Sequence, residues 1–316
     1  MILKKKNTWL PKVLKTLKSI ENENLIIACS GGADSMVLLD IIVHAGFNTH
    51  SITVCHVNHN LRTSADRDEK IVEKYCKKNN IKFSILSPDV KKVAKETRTT
   101  IEECARNIRK DFFESIRKKH KAKYIITAHH ADDQSETLIY RITKWTAITG
   151  LVGIEEHAGE YFRPLLSVTK RDLLEYAQNH KIVFGFDETN DDTNIPRNLI
   201  RKTVVPELQK INPEMVLALA RLSNSARDLK MSFDAFFTEV IDKKSFTLDW
   251  YNGLPLWFQH ELLRFLYEHI NKSTHGLSTA LITELDRFLS TRNGWKKEIK
   301  KMKLEKKKGI VFISEM

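Results

Sequence analysis

The 316-residue chain is 41% hydrophobic and 29% charged, which excludes a disordered or fibrous polymer and leaves room for two domains. No apolar run approaches the about 20 residues of a membrane span, and the basic start (Lys4, Lys5, Lys6) lacks the apolar stretch of a secretory signal. Cys29, Cys55, Cys76 and Cys104 form no C-x-x-C pair, which argues against a zinc ribbon or iron–sulfur site and fits a reducing, cytoplasmic setting. The net charge of +12 favours a polyanionic partner, most often nucleic acid, although a lysine-rich solvated surface gives the same balance.

Trp9 to Ser19 has helical apolar spacing. Leu25 to Cys29 reads as a buried strand and Asp34 to His44 as a helix. Between them lies Ser30-Gly31-Gly32-Ala33-Asp34-Ser35. Two glycines let the backbone turn with no Cβ in the way, and the amides of the following helix N-terminus then face an anion. This loop is not a Walker A motif: it is shorter and lacks the Gly-Lys-Ser/Thr ending. Thr49 to Val57 is the second strand, Ser64 caps a helix over Asp66 to Asn79, and Ile81 to Leu86 is the third strand. Thr100 opens a helix to about His120, with Glu103 three residues on as in a capping box. Tyr124 to Ala128 is the fourth strand, followed by a helix over Asp132 to Arg141. Thr169 caps a helix through His180, and Ile182 to Phe186 is a short strand. Strand–helix alternation implies an α/β fold with a parallel sheet covered on both faces, whose ligands bind beyond the carboxyl ends of the strands.

The pattern changes after Pro206. Asn212-Pro213-Glu214 starts a long helix through about Val240, and Leu256 to Ile270 and Ser278 to Ser290 are two more. The tail from Glu298 to Ile313 reads as two short strands around Lys308-Gly309. From Arg292 to Lys308 there are nine Lys or Arg against two Glu. The expected division is a catalytic domain over 1–210 and a smaller, mainly helical domain over 211–316.

Three further clusters carry chemistry. His129-His130-Ala131-Asp132-Asp133-Gln134-Ser135-Glu136-Thr137 follows the fourth strand. Asp34 and Asp133 are candidate Mg²⁺ ligands across neighbouring strand ends, since Mg²⁺ takes one or two carboxylates plus phosphate oxygens and water. Two other readings stand beside this one: Asp132 capping the helix with the histidines packed, and a transition-metal site of a phosphohydrolase on His129, His130, Asp132 and Asp133. Arg109 lies one turn beyond Ala105 on its helix and is either a surface residue or a phosphate contact. Arg197 and Arg201, four apart, share a helix face suited to phosphate or an RNA backbone, or form a plain surface stripe; Asp187-Glu188-Thr189-Asn190 precedes them.

Together these elements resemble a family. Ser-Gly-Gly-x-Asp-Ser is similar to the PP-loop of the N-type ATP pyrophosphatases. The chain also carries His56-Val57-Asn58-His59-Asn60-Leu61-Arg62, the His129–Thr137 cluster, Arg163-Pro164-Leu165-Leu166 and Arg197-Asn198-Leu199-Ile200-Arg201. With these it resembles the tRNA(Ile)-lysidine synthetases over at least residues 25 to 208. The resemblance implies a Rossmann-like PP-loop fold and a ligase. ATP would adenylate carbon 2 of the wobble cytidine in a CAU-anticodon isoleucine tRNA, and free L-lysine would then displace AMP. It implies ATP binding by Ser30, Gly31, Gly32, Ala33, Asp34 and Ser35, metal and phosphate organisation by Asp34 and Asp133, and placement of Arg109 at the nucleotide and Arg201 near the reacting centre. Arg197, Lys296, Lys297, Lys300 and Lys301 are the candidate RNA contacts. A PP-loop tRNA thiolase remains an alternative, weakened by the missing C-x-x-C pairs, and the sequence leaves a homodimer open. One stretch departs from the pattern: where the family carries a glycine-rich Arg-Gly-x-Gly turn, this chain has Lys144-Trp145-Thr146-Ala147.

Overall fold

The computed structural model describes residues 8–60, 65–144, 147–185, 195–273, 276–291 and 295–316. Lys4 to Lys6, Leu61, Arg62, Ser64, Trp145, Thr146, Phe186, Asp187 to Asn190 and Arg292 lie outside the described residues. The chain divides into two compact units, Met1–Thr146 with Gly150–Asn224, and Ala147–Thr149 with Ser225–Met316.

The first unit begins with α1 (Leu10–Lys18), β1 (Leu25–Ala28), α2 (Ala33–His44), β2 (Ile52–Val57), α3 (Ala65–Lys78), β3 (Lys82–Leu86), α4 (Val90–Thr97) and α5 (Ile101–Lys119). It continues with β4 (Tyr124–Ile126), α6 (Ala131–Thr143), β5 (His157–Ala158), β6 (Tyr161–Phe162), α7 (Lys170–Asn179), α8 (Pro196–Leu199) and α9 (Val205–Ile211). The strand order is β3-β2-β1-β4-β6-β5, all parallel except for the antiparallel β5–β6 pair. Alternate residues of β1 explain why both faces must be covered. Leu25 and Ile27 join the large core formed with α2 and α7, while Ile26 joins Cys55, Phe113 and Ile125 on the side of α5. The chain moves outward from β1 through β2 to β3, then returns to place β4 on the other side of β1. The β1–β4 junction is therefore the topological switch point, where ligands of such sheets bind.

α10 (Met215–Lys243) contains the boundary between the units. The second unit then holds β7 (Ser245–Thr247), α11 (Leu248–Gly253), α12 (Leu256–Asn271), α13 (Thr279–Ser290), β8 (Lys296–Ile299), β9 (Met302–Lys307) and β10 (Ile310–Glu315). Its helices pack Phe237, Tyr251, Leu262, Leu266, Tyr267 and Leu285 against Leu304 and Val311 of the sheet.

Several expected elements differ. Thr49 to Ser51 is a 3-10 turn, not strand, because the Asn48 side chain accepts the His50 amide at 3.0 Å. The strand expected from Ile182 is a single parallel bridge, Gly32 to Gly185, among the described residues. The tail forms three strands rather than two, and with β7 they make a four-stranded antiparallel sheet in the order β7-β10-β9-β8. Lys308 (φ 52°) and Gly309 (φ 77°) turn the β9–β10 hairpin, a two-residue connection with both residues left-handed. α4, β5, β6 and α11 were not legible as periodic runs, because each is short or mixed in polarity.

Candidate active site

The loop after β1 closes on itself. Ser35 Oγ donates to the Gly32 carbonyl at 3.0 Å, accepts the Ser30 amide at 3.2 Å and lies 3.2 Å from Ser30 Oγ. Gly31 has φ +85°, and a Cβ there would meet the backbone oxygen and Cβ of Asp68 at 2.9 Å. The loop is also pinned from beside: the Gly185 amide donates to the Gly31 carbonyl at 2.8 Å, and a Cβ at Gly185 would fall 1.8 Å from Asp68 Oδ1. Glycine is therefore required twice, at Gly31 for its φ and at Gly185 for close approach. Asp34 stands in the first turn of α2, where the dipole favours negative charge.

The loop after β4 meets it at the neighbouring strand end. His130 is buried, with Nε2 3.6 Å from Asp34 Oδ2 and 3.5 Å from Asp133 Oδ2. Burial opposes charge on this ring, but hydrogen bonding to Asp132 and Asp34, with the charges of Asp133 and Asp34, pushes its pKa up to about 10. Its Nδ1 lies 3.4 Å from Asp132 Oδ2 and 3.3 Å from the Asp132 amide. A charged ring donates from both nitrogens, so the carboxylate contact is the hydrogen bond. For Asp34, burial alone would raise the pKa, and His130 and Lys170 outweigh it to hold the carboxyl at about 2. The adjacent His129 behaves oppositely: burial, then the charges of Arg163, Arg197 and His130, lower it to about 4 against the pull of Asp133. His129 is neutral at pH 7 while His130 is charged.

Asp132 does not cap α6. The His130 amide donates to Asp133 Oδ2 at 3.0 Å, whereas Asp132 Oδ2 accepts the Lys170 amide at 2.7 Å and so ties α6 to the start of α7. Lys170 Nζ reaches both oxygens of Asp34, at 2.6 and 2.8 Å. On the other side, Glu136, 2% exposed, accepts from Arg197 Nε at 3.0 Å and from Arg201 Nε and Nη2 at 2.6 and 3.0 Å. Arg197 Nη2 also donates to Asp133 Oδ1 at 3.1 Å. Arg201 sits in a π-helical turn, Ile200–Val204, directly after α8, a distortion often found at functional sites.

The fold thus gathers Asp34, Asp133, and the pair Arg197 and Arg201 from three separate stretches of sequence. It adds Lys170 and Glu136, to which the sequence reading gave no role. Glu136 was legible in principle: an acid at a core-facing position of α6 needs a cation, and it finds Arg197 and Arg201. Lys170 was not, since its pairing spans 136 residues. Arg109 makes none of these contacts. It is an exposed residue of α5, where crowding by protein and the like charge of Arg106 lower its pKa against the pull of Tyr161. Arg163 lies over the Tyr161 ring at 5.5 Å. Of the basic candidates in the second unit, Lys296 pairs with Glu298 at 2.5 Å, Lys297 with Glu284, Lys301 with Glu315 at 3.8 Å, and Lys300 Nζ lies 5.7 Å from the Tyr267 ring centre.

Gln134 is structural. It clamps the turn around Gly153 (φ +65°), donating to the Val152 carbonyl at 3.0 Å and accepting the Ile154 amide at 2.6 Å. Arg141 donates to the Gly150 carbonyl at 2.6 Å. The residues after the departing stretch 144–147 are therefore held from α6.

Among the described residues, no group of three or more His, Cys, Asp or Glu side chains is arranged to hold a metal ion. A transition-metal cluster on His129, His130, Asp132 and Asp133 therefore has no support there. Asp34 and Asp133, converging on one nitrogen, are a two-carboxylate set of the kind Mg²⁺ uses with phosphate oxygens and water. Among the described residues no helix is long and apolar enough to cross a membrane.

A family model described as the PP-loop domain matches residues 6–208. The tRNA(Ile)-lysidine synthase of Clostridium acetobutylicum is 36% identical over 233 residues, 72% of this chain and 49% of that protein. The bifunctional protein TilS/HprT of Listeria monocytogenes is 32% identical over 263 residues, 78% of this chain and 41% of that protein. The chain spans about half the length of these curated relatives. The solved U34-tRNA thiolase NcsA of Methanococcus maripaludis, with its 4Fe–4S cluster, has a TM-score of 0.57 at 16% identity, covering 68% of this chain and 77% of that one, a likeness of fold. With a glycine cradle at the switch point of a parallel sheet and a family match across more than half its length, the chain belongs to the PP-loop domain family.

Proposed function

We propose that the protein ligates L-lysine to carbon 2 of the wobble cytidine in a CAU-anticodon isoleucine tRNA, using ATP and releasing AMP and pyrophosphate. The observation that carries this reading is the convergence of the loops after β1 and β4 on one charged cluster, in a chain similar to named tRNA(Ile)-lysidine synthases. Adenylating the cytidine oxygen turns it into a leaving group, and lysine then displaces AMP, so one hard substitution becomes two easier ones.

The amides of Gly31 and Gly32 and the N-terminus of α2 suit a polyphosphate. Arg197 and Arg201 reach the space beside Asp133, where fixed cations offset charge developing on a transferring phosphoryl group. Arg109, on α5, remains the proposed nucleotide contact from outside this cluster. Asp34 and Asp133 would hold Mg²⁺, which when bound neutralises phosphate charge. The attacking lysine amine must be neutral, a state favoured by a neighbouring carboxylate that accepts its proton or by a desolvated pocket. Arg197, Lys296, Lys297, Lys300 and Lys301 remain the proposed RNA contacts, and a cytoplasmic location follows from a tRNA substrate.

The test combines ATP, Mg²⁺, the CAU-anticodon tRNA and radiolabelled lysine. Pyrophosphate release should depend on the tRNA, the label should end in RNA, and Asp34→Ala should abolish release. Pyrophosphate without lysine incorporation would remove the substrate assignment and favour another adenylating activity such as thiolation.

A further inference from the structure

The four-stranded sheet of the second unit has one covered face and one open face. On β10, Val311 and Ile313 are buried against the helices, while Ile310 and Phe312 are 36% and 43% exposed. Side chains alternate along a strand, so the antiparallel register tells which residues share the open face. Phe312 is flanked by Ser245 on β7 and Glu305 on β9, and Ile310 by Thr247 and Lys307. Lys296 on β8 stands opposite Glu305. An aromatic ring is therefore open to solvent on an inner strand of the sheet. The charge around it is unbalanced. Lys296 pairs with Glu298 at 2.5 Å and Lys303 with Glu305 at 2.6 Å. The bond to Lys303, with the charges of Lys303, Lys296 and Lys307, holds the Glu305 carboxyl below the usual carboxylate range. Lys307 and Lys308, both exposed at the β9–β10 hairpin, form no ion pair among the described residues.

We propose that this open sheet face binds single-stranded RNA, with Phe312 stacking one unpaired base and Lys307 and Lys308 meeting the phosphates beside it. The site lies beyond the lysine contacts proposed above and rests on the same reading of RNA as the partner, though not on lysine transfer. An exposed ring offers a flat apolar surface to any base, and sheets that read unpaired RNA carry such rings, with basic side chains along the path of the backbone. Ile310, two residues away on the same face, extends the platform by about 7 Å. Charge decides between this occupant and a second copy of the chain. A two-fold contact here would set Lys307 and Lys308 against the same lysines of the other copy, whereas a polyanion gains from them.

The experiment measures binding of the full chain, by fluorescence anisotropy, to the CAU-anticodon tRNA, to a short unstructured RNA strand and to the same strand in a blunt duplex. Phe312→Ala should weaken the single strand and the tRNA at least about fivefold, the low end of one base–aromatic stack, and leave the duplex unchanged. That loss should persist at raised salt, whereas Lys307→Ala with Lys308→Ala should weaken all three RNAs and flatten their salt dependence. Phe312→Trp should bind the single strand at least as tightly as the unaltered chain. Phe312→Leu keeps an apolar side chain without the ring, guards against a folding defect in the alanine variant, and should show the same selective loss. Equal losses on strand and duplex, unaltered binding in both Phe312→Ala and Phe312→Leu, or no binding of the single strand by the unaltered chain overturns the site. A change in sedimentation of Phe312→Ala with RNA affinity intact would give the face to a second copy and overturns it too. If the tRNA takes up no lysine while the single strand still binds through Phe312, the substrate assignment falls and the RNA site stands.

Discussion

Glu136 and its two arginines make a strong energetic prediction, because burial within the trio is one-sided. The carboxylate side chain is 2% exposed, whereas Arg197 and Arg201 are 46% and 39% exposed. Glu136→Gln removes the buried charge, keeps the shape and leaves two cations that turn to water, so its cost is about 1–2 kcal/mol, the net worth of the lost hydrogen bonds. Arg197→Ala with Arg201→Ala leaves the carboxylate buried with both of these partners gone, at about 3–5 kcal/mol. Amide exchange of α6 peptides, read by mass spectrometry, reports opening of this segment alone and avoids the mixed unfolding of two units. The double variant should exchange at least about tenfold faster than Glu136→Gln. Adding Glu136→Gln to the double variant should slow exchange again, since it removes the stranded charge. If that triple variant opens as readily as the double, burial of the carboxylate is not what the arginines offset, and the argument fails.

The two adjacent histidines should titrate on opposite sides of the ordinary histidine pKa when followed by ring carbon shifts in labelled protein, with His130→Gln as the assignment control. His130 should stay charged past pH 8 and His129 neutral down to about pH 5; two transitions near 6.5 would contradict both environments. The sign for stability follows. His130, raised to about 10, contributes fully below its ordinary 6.5 and loses that contribution as pH rises through 10, whereas His129, lowered to about 4, costs stability as pH falls below 6.5. Gly31→Ala and Gly46→Ala both place a side chain at a left-handed φ, but only Gly31 meets the Asp68 backbone at 2.9 Å while Gly46 faces open space. Thermal melting should therefore fall well beyond the Gly46→Ala change of about 1 kcal/mol in Gly31→Ala, and equal shifts would remove the steric argument. Lys306 donates to the carbonyls of Phe288 and Thr291 at 2.5 and 2.6 Å and lies over the Phe288 ring at 4.4 Å. Lys306→Ala should cost about 1–2 kcal/mol, seen as faster exchange in the last turn of α13, whereas the exposed Lys307→Ala should change it by less than about 0.5 kcal/mol.

The legible parts of the molecule were those where local chemistry and global fold agree. The cradle at Ser30 to Ser35 announces itself because two glycines between an apolar strand and an apolar helix have few other uses. The strand order could not be read, yet alternation alone placed both loops at strand ends. Thr100 and Thr169 were readable as caps and do cap, each accepting an amide of the following helix; Ser278, read as the first residue of its helix, is its cap. His130 was read as packing or metal-binding and is instead a buried cation, a state that exists only because three carboxylates from α2 and α6 surround it. The basic tail shows the same limit. Its lysines are a charge run in sequence, but antiparallel pairing sets Lys296 opposite Glu305 and Lys303 opposite Glu298, so register decides how much of that charge is neutralised nearby.

The cluster at the switch point holds four carboxylates, Asp34, Asp132, Asp133 and Glu136, and four cations, His130, Lys170, Arg197 and Arg201. An incoming polyphosphate meets no surplus of positive charge; it must take cations from carboxylates, and each carboxylate so abandoned needs another partner. A divalent ion on Asp34 and Asp133 would meet that need, so ATP and Mg²⁺ should each raise the other's affinity by the same factor. Asp34→Asn removes the carboxylate that competes for Lys170 and should make pyrophosphate binding markedly less dependent on Mg²⁺, even though the same change disables turnover. A Mg²⁺ dependence in Asp34→Asn equal to that of the unaltered protein would mean that Asp34 neither holds the ion nor restrains the lysine, and the exchange of partners argued from these distances would have to be abandoned.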